Sequence, residues 1–168
     1  VTLDATMPRR TIQKPDRLLP QYFEYMAQGA RAVAFPVELV YADGVLQPGL
    51  SAINGLMHRI APGNHAGPIA QAGTTRTQVF STGQRWFTVA WRSDDTSTVE
   101  LPWSDKHPIL LMDAWGNGLE STSGGTNWTH PLTKDFLYIT GLGGPVLRTA
   151  LVDSAKARAR YAIEDDRL

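Results

Sequence analysis

The chain has 168 residues, enough for one domain or for one small domain with a part of another. Apolar residues make up 42% of it and charged residues 19%, which predicts a packed core rather than disorder. Sixteen basic side chains balance sixteen acidic ones and there is no Cys, so we expect no nucleic-acid partner, no disulfide and no thiolate metal site.

The first 61 residues predict alternating strands and helices. Residues 1–6 alternate apolar and polar side chains, as a strand does. A helical apolar face follows, with Asp16 as the N-cap and Gly29 as the C′ residue. The apolar run 30–41 predicts a strand buried on both faces, and residues 50–60 predict a second amphipathic helix. This order is typical of a parallel sheet.

The rest of the chain has a different pattern. Residues 62–73 are rich in Gly and Pro and are predicted to be a linker. Residues 74–143 contain short strand-like runs between polar turns, which predicts an antiparallel β-sandwich. Residues 144–168 predict a helical tail that packs on the sandwich or on a partner. Its weak apolar stripe consists of Val152, Ala155, Ala159 and Ile163.

Six segments, in this order, carry a resemblance to a known architecture: YMAQGARAVAFPVEL, ADGVLQPGLSAINGLMHRI, TQVFSTGQRWFTVAW, STVELP, LMDAWGNGLE and FLYITG. They resemble the end of a glycoside hydrolase built as an eight-stranded β/α barrel with a C-terminal β-sandwich. The resemblance covers about residues 14 to 141 and implies an α/β plus all-β fold. Residues 1–61 would be the terminal βαβα portion of a TIM-type barrel, and the sandwich would brace that barrel.

The turn DAWGNG, residues 113–118, has two interpretations. An Asp and an indole at a tight turn fit a catalytic loop, and they also fit a connection between strands. In the resembled sandwich this turn is a corner between two strands. We therefore expect Asn117 and Gly118 to supply the positive φ that such a corner needs.

The resemblance also implies where catalysis would occur. Retaining glycosidases use two carboxylates about 5 Å apart, and the resembled enzymes place the nucleophile at the end of the seventh strand. Asp4 lies near that position, where the family has Glu; its alternative role is a strand-end cap or turn acceptor. The acid/base carboxylate belongs to a fourth strand that this chain does not contain. We therefore expect no activity from this chain alone, which is either a fragment or a degenerate homologue.

Several side chains are candidates for contact with a sugar. Flat aromatic faces suit the CH groups of a pyranose, so exposed Trp side chains are candidate stacking platforms. Trp91 is excluded from them and assigned to the core, because it alternates with apolar neighbours. Glu38 lies within an apolar run, where its carboxylate could line a sugar cleft or, alternatively, form an ion pair in solvent. The substrate-binding candidates are Phe35, Glu38, Tyr41 and Trp115, with Trp103 and Trp128 as further stacking platforms.

The expected partners follow from these interpretations. They are carbohydrate and either the missing barrel portion or another protein chain. A second interpretation is a non-catalytic sandwich module of an assembly, whose helical tail binds a partner. No apolar run approaches the roughly 20 residues that span a bilayer, so no membrane span is expected. The four His residues lack an HxH or HExxH spacing, so we expect neither metal nor cofactor.

Overall fold

The computed structural model describes residues 4–6, 15–35, 41–60, 63–82, 85–92, 97–102, 108–120, 127–132 and 136–165. Within them the chain forms a mixed α/β fold in which antiparallel sheets predominate. The helices are α1 (Pro15–Ala27), α2 (Gly49–Ile60) and α3 (Gly144–Asp165). The strands are β1 (Asp4–Thr6), β2 (Ala32–Ala34), β3 (Tyr41–Ala42), β4 (Val45–Leu46), β5 (Asn64–Gly67), β6 (Arg76–Thr82), β7 (Arg85–Trp91), β8 (Thr98–Pro102), β9 (Leu110–Asp113), β10 (Gly118–Leu119), β11 (Asn127–Pro131) and β12 (Phe136–Thr140).

The N-terminal elements form a parallel β1–α1–β2 unit followed by α2, in the order that the sequence predicts. The predicted C′ residue is confirmed, because Gly29 has a φ of 92° and its N–H donates to the Met26 carbonyl. The N–H of Ala30 donates to the Tyr25 carbonyl at 3.0 Å, which completes a Schellman motif. The N-cap prediction for Asp16 is wrong, since α1 already begins at Pro15.

The prediction of a strand over residues 30–41, buried on both faces, is wrong for residues 30–35, and residues 36–40 lie outside the described residues. The strand β2 covers only Ala32–Ala34, and both of its alanines are exposed. Val33 alone packs on the core, next to α1. Within the described residues β2 pairs only with β1. An apolar strand stays exposed where nothing covers its second face.

Six antiparallel strands form the main sheet in the order β10-β9-β12-β7-β6-β5. The segment predicted as a linker, residues 62–73, contains β5, which pairs with β6 at the edge of this sheet. β8 and β11 form a separate two-stranded ribbon, and β3 and β4 form a hairpin. The short antiparallel strands expected between residues 74 and 143 are therefore present, although the division into domains stays a prediction.

Each face of the six-stranded sheet contributes to a different hydrophobic core. On the first face Phe80, Val89 and Phe136 pack against α1 and α2. On the second face Val79, Ala90 and Leu137 pack against the β8–β11 ribbon and the start of α3. The alternation of side chains along each strand assigns neighbours to opposite cores. Trp91 is buried in the first core, as predicted.

The helix α3 packs by a different stripe from the predicted one. Leu147 is fully buried, Leu151 packs on the second core and Ser154 is buried. The Ser154 Oγ accepts a hydrogen bond from the Ala70 N–H at 3.0 Å, so a polar group anchors this face. Val152, which the sequence placed on the apolar stripe, is 51% exposed. Ala155 is exposed as well, because Leu147 and Leu151 bury more apolar area than an alanine can, and the side chains of Ala159 and Ile163 lie outside the described residues.

A histidine beside the second core predicts a pH-dependent stability. The ring of His130 stacks on the fully buried Trp128 with 5.5 Å between centroids, and burial lowers the pKa of His130 below its usual 6.5. The unfolded chain then takes up this proton at a higher pH than the folded chain. We therefore expect full stability above about pH 6.5 and a loss as the pH falls below it.

This expectation is checked by urea unfolding at about pH 7.5 and about pH 5.5. The His130→Gln variant has no group to titrate there, so it should lose less stability on acidification than the parent chain. Equal losses in the two proteins would show that His130 is not responsible.

Candidate functional site

The parallel β1–β2 pair provides the first part of the candidate site. Ligands of parallel sheets bind beyond the carboxyl ends of the strands, which here are Thr6 and Ala34. Asp4 is in register with Ala32, two residues before that end, and the structure describes only its backbone. Its role as a nucleophile therefore stays a prediction.

Phe35, the first residue after β2, takes part in packing. Its ring stacks on Tyr22 of α1, with 5.7 Å between centroids and 16° between planes. Both rings pack against the first core, and desolvation raises the pKa of the Tyr22 hydroxyl. The structure thus gives Phe35 a contact with α1, and a sugar contact for it stays a prediction. Glu38 lies outside the described residues.

The β3–β4 hairpin, which comes after β2 in the chain, carries the exposed apolar side chains Tyr41, Val45 and Leu46. Tyr41 is 52% exposed and stands opposite Leu46, which is 66% exposed. The turn is formed by Asp43 and Gly44, both with positive φ, as in a type I′ hairpin. The Gln47 side chain donates to the carbonyls of β3 and β4 at 3.3 Å. Tyr41 is therefore held by a well-defined hairpin and is open to a ligand.

The turn DAWGNG connects β9 to its antiparallel neighbour β10, so the strand-connection interpretation is confirmed. Asp113 is buried and uses both carboxylate oxygens within the turn. Its Oδ1 accepts from the N–H groups of Trp115 and Asn117 at 2.9 Å, and its Oδ2 accepts from the Asn117 Nδ2 at 3.0 Å. This carboxylate is thus occupied in holding the turn.

The residue that supplies the positive φ of this turn differs from the prediction. Gly116 has a φ of 88°, whereas Asn117 and Gly118 have negative values. The Gly116 N–H donates to the Asp113 carbonyl, and the Asp113 N–H donates to the Asn117 carbonyl, both at 3.0 Å. These bonds enclose Ala114, Trp115 and Gly116, so the left-handed position falls on Gly116, one residue before Asn117.

The Asp113 carboxylate predicts a stability effect at this turn. Asp113→Ala removes three charge-assisted hydrogen bonds and should cost about 3 kcal/mol in free energy of unfolding. Asp113→Asn keeps one acceptor oxygen and should cost about 1 kcal/mol. Chemical denaturation monitored by far-UV circular dichroism measures both values. An Asp113→Ala chain as stable as the parent would contradict this account of the turn.

Trp115 is the candidate platform that the structure leaves accessible. The Trp115 side chain is 38% exposed, and the main-chain N–H of Trp115 donates a hydrogen bond to the Asp113 carboxylate. Trp128, considered as a platform from the sequence, is fully buried in the second core, so that interpretation is wrong. Trp128 lies on a strand whose alternate residues face the main sheet, and burial follows from that position. Trp103 lies outside the described residues.

The candidate residues belong to separate parts of the fold. Asp4, Phe35 and Tyr41 come from the parallel pair and the hairpin that follows it, whereas Trp115 belongs to the β9–β10 connection. Sequence reasoning missed the roles of Gln47 and Gln71, whose side chains bind main-chain groups of strands. A single Gln in a polar turn has no signal that would indicate such a partner.

The comparisons with known proteins identify the fold. No protein-family model and no curated protein matches the sequence. The chain is similar to a family 39 glycoside hydrolase from Bacteroides cellulosilyticus WH2, with a TM-score of 0.67 and 12% identity over 84% of this chain and 34% of that one. It is also similar to a family 30 endoxylanase from Clostridium papyrosolvens C71, with a TM-score of 0.60, 8% identity, and 83% and 42% covered.

A third similar structure is the family 30 subfamily 8 xylanase from Clostridium acetobutylicum, with a TM-score of 0.61, 7% identity, and 84% and 42% covered. The chain therefore has a fold found within glycoside hydrolases and spans between 34% and 42% of the length of these three chains. A search of the described residues for a helix that is both apolar and long enough to cross a membrane finds none.

Proposed function

We propose that this chain is the C-terminal part of a glycoside-hydrolase-like protein that acts on glycosidic bonds. Residues 1–61 would be the last βα units of its TIM-type barrel, residues 62–73 a linker that also contributes β5 to the sheet, and residues 74–143 the sandwich that braces the barrel. Residues 144–168 would be a helical tail. The observation that carries the proposal is the core shared between α1 and the antiparallel sheet, in a fold that glycoside hydrolases also have.

The shared core supports a bracing role. Phe23 of α1 is fully buried, and its ring lies 5.1 Å from Phe80 and 5.5 Å from Phe136 between centroids. A helix that follows a parallel strand normally uses its apolar face to cover that sheet. Here α1 contacts β2 with Val33 as the packed residue and also contacts the six-stranded sheet. This helix therefore couples the two sheets mechanically.

The exposed side of β2 supports the presence of further barrel strands. Ala32 and Ala34 are exposed, and within the described residues the parallel sheet has two strands. Parallel sheets are normally buried on both faces, and two strands alone are marginal in water. We infer that parallel strands from the rest of the protein cover this side.

The chemistry would then require a carboxylate from outside this chain. Asp4 would occupy the nucleophile-like position, and the acid/base carboxylate would come from a strand of the missing portion. Because Asp is shorter than Glu, its oxygen would lie more than about 1 Å from the usual position, which can cost about 10²-fold in rate. The chain alone should therefore not hydrolyse aryl glycosides.

The intact mass of the protein from its native source, with sequencing of any residues before Val1, tests this proposal. A longer chain with parallel β/α units and a Glu at the end of a fourth strand would support it. A native chain that begins at Val1, with no associated subunit that supplies those units, would refute it.

A second candidate function is carbohydrate binding by a non-catalytic module of a larger assembly. The exposed indole of Trp115 on a turn that Asp113 holds in place favours it, because a preorganised aromatic face suits a pyranose ring. In this reading the tail of α3 would bind another chain of the assembly.

The Trp115 platform makes a separate prediction about binding. Trp115→Ala should strongly reduce retardation of the chain in native gels that contain soluble xylan or starch, and Trp115→Phe should reduce it less. Loss of one stacked ring should weaken binding by about tenfold. Retardation of Trp115→Ala equal to that of the parent chain would exclude this platform, and an unchanged circular dichroism spectrum is the control for folding.

A further inference from the structure

Two Asn-Gly dipeptides occur in the chain, and the fold places them in different environments. Asn54–Gly55 lies inside α2, and Asn117–Gly118 lies where the β9–β10 turn enters β10. Asn is chemically labile, most of all before Gly, because no Cβ then hinders attack by the following main-chain nitrogen on the Asn side chain. Both dipeptides are followed by Leu and both Asn residues are exposed, so neither sequence nor access to water distinguishes them.

The two glycine nitrogens differ in their hydrogen bonding. In an α-helix each N–H donates to the carbonyl four residues earlier, so the Gly55 N–H is engaged within α2. Gly118 stands opposite Met112, next to the pair that the bond from the Asp113 N–H to the Asn117 carbonyl closes. Hydrogen-bonded and non-hydrogen-bonded pairs alternate in an antiparallel ladder, so the Gly118 N–H points away from β9. This nitrogen is therefore open to reaction.

The two Asn side chains also differ in what must open before they react. The Asn117 Nδ2 donates to the Asp113 Oδ2 at 3.0 Å, which directs the amide toward β9. Attack requires the Asn117 Cγ to meet the Gly118 nitrogen, so this bond must break first. Opening of an exposed turn costs less than opening of α2, whose Ala52 and Ile53 pack in the first core.

We propose that Asn117 is a site of spontaneous deamidation, that α2 protects Asn54 from the same reaction, and that Asp113 limits the rate at Asn117. The Gly118 nitrogen attacks the Asn117 Cγ, and the Cγ–Nδ2 bond breaks to form a cyclic succinimide. The proton of the Gly118 N–H passes through solvent to the leaving nitrogen, which departs as ammonia. Water then adds to either carbonyl of the ring and opens it, which gives Asp or isoaspartate at position 117.

Either product would oppose the turn that holds Trp115. A carboxylate would replace the amide that donates to Asp113, so two carboxylates would face each other at hydrogen-bond distance. Isoaspartate would also insert one extra main-chain carbon just before β10. The same Asp113 carboxylate accepts from the Trp115 N–H, so deamidation should loosen the exposed indole. An effect on sugar binding rests on the second candidate function above, whereas the deamidation itself does not.

Peptide mapping by mass spectrometry, after incubation of the folded chain in mildly alkaline buffer, tests the proposal. Deamidation at Asn117 should be at least about tenfold faster than at Asn54, and the two rates should be similar in the urea-unfolded chain. Asp113→Asn removes the acceptor of the Asn117 amide, so it should raise the rate at Asn117 by about tenfold and leave Asn54 unchanged.

Gly118→Ala is the matched control. A Cβ there would meet no heavy atom within 4 Å, and Gly118 is not among the positive-φ glycines, so the turn should stay folded by circular dichroism. The added methyl group should nevertheless slow ring closure and suppress deamidation at Asn117. Unchanged deamidation in this variant would show direct hydrolysis rather than attack by the main-chain nitrogen.

Three further results would overturn parts of the proposal. Equal rates at Asn54 and Asn117 in the folded chain would show that α2 gives no special protection. A folded chain that reacts at neither position, while the unfolded chain reacts at both, would show that the turn protects as well as the helix does. A rate at Asn117 that Asp113→Asn leaves unchanged would show that the Asp113 carboxylate does not limit the reaction.

Discussion

Replacing Phe23 with Ala is expected to lower the free energy of unfolding by about 3–5 kcal/mol. The ring is fully buried, and it contacts Phe80, Phe136 and Tyr138 with centroid distances of 5.1, 5.5 and 6.1 Å. These three aromatic partners lie on two strands of the six-stranded sheet. The substitution would thus leave a cavity between α1 and that sheet, which the surrounding rings cannot close without leaving their rotamers.

The measurement is thermal and urea unfolding followed both by near-UV and by far-UV circular dichroism. The two signals should shift together, because α1 and the sheet share one core. Glu24→Ala, one residue further along the same helix and exposed, is the matched control and should change stability by less than about 0.5 kcal/mol. If only the helical signal shifted, α1 would not be part of the core of the sheet, and the bracing role proposed above would lose its main support.

The second large effect is expected at Gly141. This residue follows β12 and has a φ of 96°, which side chains rarely adopt. A Cβ there would overlap the main-chain carbonyl of Pro108, just before β9. Since β9 and β12 are paired, that carbonyl cannot move without disturbing the ladder. Gly141→Ala should therefore cost at least about 3 kcal/mol, from backbone strain and overlap together.

Gly73→Ala separates these two contributions. Gly73 also has a positive φ, 66°, but a Cβ there would have no heavy atom within 4 Å. It should cost only the strain of the left-handed conformation, about 1–2 kcal/mol. Urea midpoints of the two variants provide the comparison. Equal losses would show that the contact between Gly141 and Pro108 does not constrain the sheet.

These two predictions bear on function as well as on stability. The proposed role of the sheet is to brace a barrel, and a brace must itself be rigid. The aromatic rings around Phe23 join α1 to the sheet. The close approach of Gly141 to the Pro108 carbonyl joins the end of β12 to the start of β9. Because β12 lies inside that sheet and contacts α1, damage at either position should loosen the contact between the sheet and α1.

Local patterns in the sequence were enough to predict several elements. The periods of apolar residues indicated α1 and α2, and Gly29 was recognisable as the residue after a helix because only glycine adopts its φ readily. The alternation within β7 assigned Trp91 to the core. The turn between β9 and β10 was recognisable from its Asp, Asn and Gly residues. Each of these features depends on side chains within a few residues of one another.

Tertiary structure decided the features that depend on distant partners. Whether β2 is buried depends on what covers its second face, and Gly116 rather than Asn117 takes the positive φ because of how Asp113 closes the turn. The partner of Gln71 lies 29 residues away on β8. Local propensity reports what a segment can adopt on its own, whereas burial and hydrogen-bond partners depend on segments that folding brings together. A mixed α/β fold with predominant antiparallel strands could therefore be predicted from the sequence, and the assignment of each candidate residue to packing or to a ligand could not.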